Sequence, residues 1–149
     1  MGSAKQARGT ASRDLLLDAG MRTTRQRLRV LDVLSEERDD ATAQELHARL
    51  RARGEPIGLS TVYRTIAALR ERGIVDALSH RPGETCYRLC GQGSHHHHLV
   101  CVSCHRVVEL SHCELGGWLD DVSAAHGFAA TDHVLEVTGL CGACSAASA

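Results

Sequence analysis

Two cysteine pairs dominate the chemistry available to this sequence: Cys101-x-x-Cys104 and Cys141-x-x-Cys144. Two intervening residues let both sulfurs of a pair reach one tetrahedral Zn²⁺ at about 2.3 Å, and two such turns make a closed four-sulfur structural site. The 36 residues between Cys104 and Cys141 leave room for a strand, a helix and a strand, so one ion would staple the last turn of a domain to its first. A redox dithiol at each pair is the rival reading. Two pairs suit one metal better than they suit two separate redox centres.

The second feature is the run His95-His96-His97-His98. On a strand, successive side chains alternate faces, so His96 and His98 share one face and His95 and His97 the other. One ion cannot take all four. The run is either a solvated polar edge or two half-sites back to back, each needing two more ligands. Asp76, Cys90, Glu109, Glu114 and His133 are the further donors. If Asp76 and Cys90 reach His96 and His98, the resulting site is formally neutral around Zn²⁺. Its thiolate favours Zn²⁺ over harder ions such as Mn²⁺.

Several elements must hold these groups. Ser12 is placed to cap a short helix ending at Gly20. Thr24 caps a helix through "RQRLRVLDVLSEE", with Leu28, Leu31 and Leu34 at helical spacing. Thr42 to Glu45, "TAQE", is a capping box opening a helix that buries Leu46 and Leu50 and stops at Gly54. Ser60 is expected to cap the next helix, with Val62, Ile66 and Leu69 as its apolar stripe and Gly73 as its end. Ser60, Thr61, Tyr63 and Arg64 would then be the DNA candidates. A helix N-terminus favours phosphate, Arg reads base edges or phosphate, and Tyr touches a thymine methyl or a phosphate. The bland alternative is an ordinary exposed helix face. Two short strands, "IVDAL" and "TCYRLC", flank a Pro-Gly turn. Helices followed by a two-stranded wing read as a winged helix-turn-helix.

Beyond Gly91–Ser94, the one internal stretch of linker composition, strands are expected through "HHHLVC", "RVVEL" and "HVLEVT". A helix from about Leu115 to His126 carries Leu115, Trp118, Leu119 and Val122 on one face. The elements read as fold class α+β: an N-terminal winged helix-turn-helix domain, then a small α/β domain with a three-stranded sheet and one main helix. The expected boundaries are a disordered tail at 1–13, the DNA-binding domain at 14–90, a hinge at 91–94, the metal-binding domain at 95–144 and a frayed tail at 145–149.

The net charge of −1 hides a split. Residues 1–94 carry 16 basic and 12 acidic side chains, whereas residues 95–149 carry one and six. A basic half suits an anionic partner, and an acidic half rich in Cys and His suits cations. No apolar run reaches the roughly 18 residues of a membrane span, and the start has no signal-peptide pattern. A cytoplasmic protein is expected. Seven cysteines then point to metal or redox use rather than disulfides, and their odd number excludes complete internal pairing. A zinc enzyme would need an open coordination position and a poised base. Neither His-Glu-x-x-His nor a His-x-Glu ahead of Pro-Cys-x-x-Cys is present.

Taken together, "MRTTRQRLRVLDVL", "GLSTVYRTIAALRERGIVD", "HHHHLVCVSC" and "HVLEVTGLCGAC" resemble the landmarks of the ferric uptake regulator superfamily, from about Asp14 to Cys144. The resemblance implies a homodimeric, metal-sensing repressor that binds double-stranded palindromic operator DNA, with two to three Zn²⁺ per chain, no small-molecule substrate and no membrane partner. It implies structural zinc at Cys101, Cys104, Cys141 and Cys144. Asp76, Cys90, His96 and His98 look like the regulatory site of the family's zinc uptake regulators, which control zinc uptake genes. A sibling sensing iron or nickel is the near alternative. His95, His97 and His133 match three ligands of a further site. The family's fourth ligand there is a Glu, seven residues after the position of Glu109, but this chain has Gly116. Glu114 is the expected substitute, with His112 or water as alternatives. Cys86, His112 and Cys113 have no clear family role.

Overall fold

The computed structural model describes residues 11–36, 40–90, 95–129 and 132–147. Residues 1–10 of the expected N-terminal tail, the whole expected hinge at 91–94, and residues 148–149 lie outside these. The chain forms two units, Met1–Cys90 and Gly91–Ala149.

In the first unit, α1 runs through residues 11–18 and ends at Gly20, whose φ of +66° is the left-handed turn that glycine favours. Ser12 is not its cap. It lies within the helix, and its hydroxyl donates to Asp32 Oδ1 at 2.8 Å. Residues 11–13, expected in the tail, are helical because Leu16 and Ser12 are buried against this unit. α2, Arg25–Leu34, is capped by the Thr24 hydroxyl as expected. α3, Ala43–Ala52, opens on the expected capping box. The Glu45 N–H donates to Thr42 Oγ1, and the Thr42 N–H donates to Glu45 Oε2.

α4 spans Leu59–Glu71, and here one expectation fails. Ser60 is not the cap. Gly58 holds that position in extended backbone, and its carbonyl accepts from the N–H groups of Thr61 and Val62. Buried Ile57 anchors the preceding turn, so the helix starts two residues earlier and leaves the Ser60 hydroxyl exposed. The stripe of Val62, Ile66 and Leu69 is buried against Leu31, Leu34, Leu46 and Leu50.

The wing pairs β2, Val75–Leu78, antiparallel with β3, Cys86–Leu89, across the Pro82-Gly83 turn. A two-residue strand β1, Ala41–Thr42, adds to the other edge of β3. Cys86 is a core residue of β3. Burial, with a hydrogen bond to Asp40, pushes its thiol up to about 12.

In the second unit, β4 (His97–Cys101) is the central strand, paired antiparallel with β5 (Val107–Leu110) and parallel with β6 (Glu136–Gly139). α5, Gly116–Ala125, connects β5 to β6, and α6, Gly142–Ala147, occupies part of the expected frayed tail. Leu99, Val108 and Val137 lie at one level of the three strands. Each is about 40% exposed. Trp118 and Val122 of α5 are also exposed, so the apolar face expected of this helix is present but uncovered. Among the described residues no helix is long and apolar enough to cross a membrane.

Candidate metal centres

The four cysteines converge. Cys101 ends β4, and a tight turn follows: the His105 N–H donates to the Cys101 carbonyl and the Cys101 N–H to that of Arg106, both at 2.9 Å. His105 takes a φ of +61°, unusual for a residue with a Cβ, and so lets Cys104 fold back beside Cys101. Parallel pairing sets Cys101 opposite Gly139, which delivers Cys141 to the same corner. The first turn of α6 adds Cys144.

All four sulfurs lie within 4.8 Å of one another, and Cys104 Sγ is 3.7 Å from Cys141 Sγ. Zn–S bonds of about 2.3 Å at tetrahedral angles put sulfurs roughly 3.8 Å apart. The cysteines are free thiols. N–H groups of Cys104 and Cys141 aim at Cys101 Sγ and hold its thiol down at about 6, and Cys141 is also lowered, chiefly by the Cys144 N–H. Cys104 receives the Arg106 N–H, but the sulfurs of Cys101, Cys144 and Cys141 push it up to about 12. Four sulfurs at this spacing suit one tetrahedral cation.

The histidine run divides as strand alternation requires. His96 and His98 have ring centroids 4.9 Å apart on one face. On the other, His95 Nε2 is 3.2 Å from His97 Nε2 and 3.1 Å from His133 Nε2. Burial, reinforced by the imidazoles of His95 and His133, lowers the pKa of His97 and keeps it in its neutral, metal-binding form.

Glu114, the expected fourth donor of this second cluster, is not among the side chains that converge there. Glu114 faces solvent, 87% exposed, and pairs with His112 Nε2 at 3.4 Å. Cys113 takes its place, with Sγ 3.1 Å from His133 Nε2, and His95, His97, Cys113 and His133 have their donor atoms within 4.8 Å of one another. The pairing of Leu110 with His97 brings the chain off β5 at the level of this histidine. Three residues later it has reached Cys113, before the turn into α5 aims Glu114 outward. A cysteine three residues past the strand paired with the histidines was the available signal.

In the first unit, Asp76 sits on β2 and Cys90 follows β3. Asp76 pairs with Arg88, and the Cys90 N–H donates to the Ile74 carbonyl at 2.9 Å. Asp76 and Cys90 are therefore diagonal neighbours on one face of the wing, with ligand atoms within 4.8 Å. Each unit thus carries two of the four ligands expected of the regulatory site. On α4, Ser60, Tyr63 and Arg64 are exposed, and Thr61 is half-buried and accepts from Arg64 Nη2 at 3.4 Å. The first turn of this helix has no acidic residue, which leaves its N-terminal partial charge uncompensated.

The sequence profile of the Ferric uptake regulator family matches residues 18–138. The zinc uptake regulation protein of Mycobacterium tuberculosis H37Rv is 45% identical over 126 residues, covering 85% of this chain and 96% of that protein. The ferric uptake regulation protein of Escherichia coli K12 is 35% identical over 133 residues, 89% of each chain. A solved zinc uptake regulator complexed with zinc and DNA superposes with a TM-score of 0.80 at 26% identity, over 97% of both chains. By its landmarks, its fold and these likenesses, the chain belongs to the ferric uptake regulator family.

Proposed function

We propose that this chain is a zinc-responsive transcriptional repressor that binds palindromic operator DNA as a homodimer and controls genes of zinc uptake in the cytoplasm. Members of its family are transcription regulators, not enzymes. The observation that carries zinc as the sensed metal is the pairing of a thiol with a carboxylate, Cys90 beside Asp76, at the end of the wing. A thiolate in the sensing site selects Zn²⁺ over harder ions. The 45% identity to a zinc uptake regulation protein points the same way.

In this reading Asp76, Cys90, His96 and His98 would be the ligands of one ion. A bound Zn²⁺ supplies a cross-link there. The two units are then held at one angle, and in a C₂ dimer that angle sets the spacing of the two α4 helices to successive half-sites. Ser60 and Thr61 take phosphate, and Tyr63 and Arg64 reach bases or phosphate. The ligand set shifts the population toward the DNA-competent form only by its differential affinity for that form. The exposed stripe of Leu99, Val108 and Val137, with Trp118 and Val122, supports a second copy of the chain as the dimer partner.

Operator binding measured across buffered free zinc tests this, with iron and nickel as competitors. The wild type should bind tightly only with zinc. Cys90→Ser should give a folded dimer whose operator affinity no longer responds to zinc. An unchanged zinc response in that variant sinks the assignment, and a response to iron or nickel at lower free concentration than zinc moves the chain to a sibling function.

A further inference from the structure

We infer that Cys113 is a metal ligand, and that His95, His97, Cys113 and His133 form a three-nitrogen, one-sulfur site for Zn²⁺ or a similarly soft divalent ion. The inference does not rest on the proposed zinc sensing; the site can fill whether or not the chain regulates transcription.

Its geometry is the first argument. Tetrahedral Zn–N bonds of about 2.0–2.1 Å put nitrogens roughly 3.3 Å apart. The His95–His97 and His95–His133 nitrogen separations of 3.2 and 3.1 Å approximate such edges, and Cys113 Sγ lies 3.1 Å from His133 Nε2. Four donors from β4, the loop before α5 and the segment before β6 meet at one point, two of them 38 positions apart in sequence. Neutral imidazoles and a thiol gain little from such crowding without a cation.

The surroundings give the second argument. Asp132 Oδ1 accepts from the His133 N–H at 2.8 Å and lies 3.9 Å from His95 Nδ1. A ring nitrogen opposite a coordinated Nε2 carries its proton toward such an acceptor. One contact opposes loading: the Leu135 N–H lies 3.3 Å from His97 Nδ1. Coordination through Nε2 puts the ring proton on Nδ1, so this contact must open slightly.

The consequence is a change of ion preference. The family's carboxylate at position 116 is absent, and a thiolate replaces it from three residues earlier. Sulfur favours Zn²⁺ and Co²⁺ over Mn²⁺ and Mg²⁺, which prefer oxygen. Gly116 offers no donor of its own, and a Cβ added there meets nothing within 4 Å, so a longer side chain at this position is sterically tolerated.

The test uses the full chain and its metal content rather than DNA binding. Zinc per chain and Co²⁺ titrations are compared for wild type, Cys113→Ser, His133→Ala and the double variant Cys113→Ser/Gly116→Glu, with circular dichroism as the folding control. Cys113→Ser and His133→Ala should lose the same equivalent of zinc. The affinity loss should equal or exceed the roughly 10–100-fold that outer-shell changes cost. The sulfur-to-cobalt charge-transfer absorption of that equivalent should vanish in Cys113→Ser. The double variant should regain the ion without that absorption, and with improved Mn²⁺ binding relative to Zn²⁺. If Cys113→Ser stays folded and binds the same number of zinc ions with unchanged affinity and an unchanged cobalt spectrum, Cys113 is not a ligand. If only His133→Ala loses the ion, the site is histidine-based and the inference is likewise overturned.

Discussion

The first unit buries a continuous apolar cluster from Leu16 to Val75, contributed by every helix and by the wing. In the second, the buried apolar residues among those described are Val100 and Cys101, and α5 buries none of its side chains. The contrast follows from size and composition. A unit of about 60 residues buries only about 60% of the surface its unfolded chain exposes, so its core is marginal and a metal or a second copy adds to a small balance. One half of the molecule is organised by leucine; the other gathers sulfur and nitrogen donors around a sheet with an exposed apolar face.

Zinc removal probes that contrast most strongly. Chelation, or Cys101→Ser, should unfold the second unit and disperse the dimer while the helices of the first persist. Apparent zinc contributions in small zinc domains reach about 10–16 kcal/mol. Hydrogen exchange read separately on the two units checks this, and continued protection of β4 and β6 after chelation would break the comparison. Next in size is a matched pair. Leu46→Ala, at a fully buried site, should cost about 2–5 kcal/mol with or without zinc. Leu99→Asp, at a half-exposed site, should leave the first unit's melting unchanged and shift the particle mass to that of a monomer in light scattering.

The smallest effect lies at the capping box. Thr42→Ala should cost about 1 kcal/mol, seen as a lower Tm of the first unit alone. Partial burial raises the Glu45 pKa, but the Thr42 N–H and Arg81 lower it further, to a net value below the usual 4.5. Its contribution is therefore complete above that ordinary value and lost as pH falls through the lowered folded value. Glu45→Gln should flatten that part of the acid-side stability curve.

What could be read in the sequence tracks how local each determinant is. Thr42 and Glu45 are three residues apart, and their mutual bonds are written in the residue types. The split of the four histidines needs only the period of a strand. β1 escaped because Ala41 and the capping residue Thr42 are too few to carry a periodic signal; β3 alone makes them a strand. The exchange of Cys113 for Glu114 was hidden because a loop decides it: adjacent residues point oppositely, and only the pairing of His97 with Leu110 fixes which one turns inward. Ser60 misled because a hydroxyl ahead of an apolar stripe looks like a cap, whereas Ile57 and Gly58 set the start of α4.

The parallel pairing of β4 with β6 carries one more implication, for the order in which ions are taken up. Cys101 and Cys141, 40 positions apart, are joined through the four-sulfur corner, and the chain between them contains Cys113 and holds His133 close to β4. Closing a loop of that length by a cross-link removes about 4 kcal/mol of unfolded-chain entropy. The smaller circuit between Cys113 and His133, 20 positions long, nests inside it. An ion at the sulfur corner therefore shortens the search that the inner donors must make, so loading should run from the outer loop inward and release from the inner loop outward. If both clusters take an ion, the sheet geometry couples the order in which they fill, though they share no ligand.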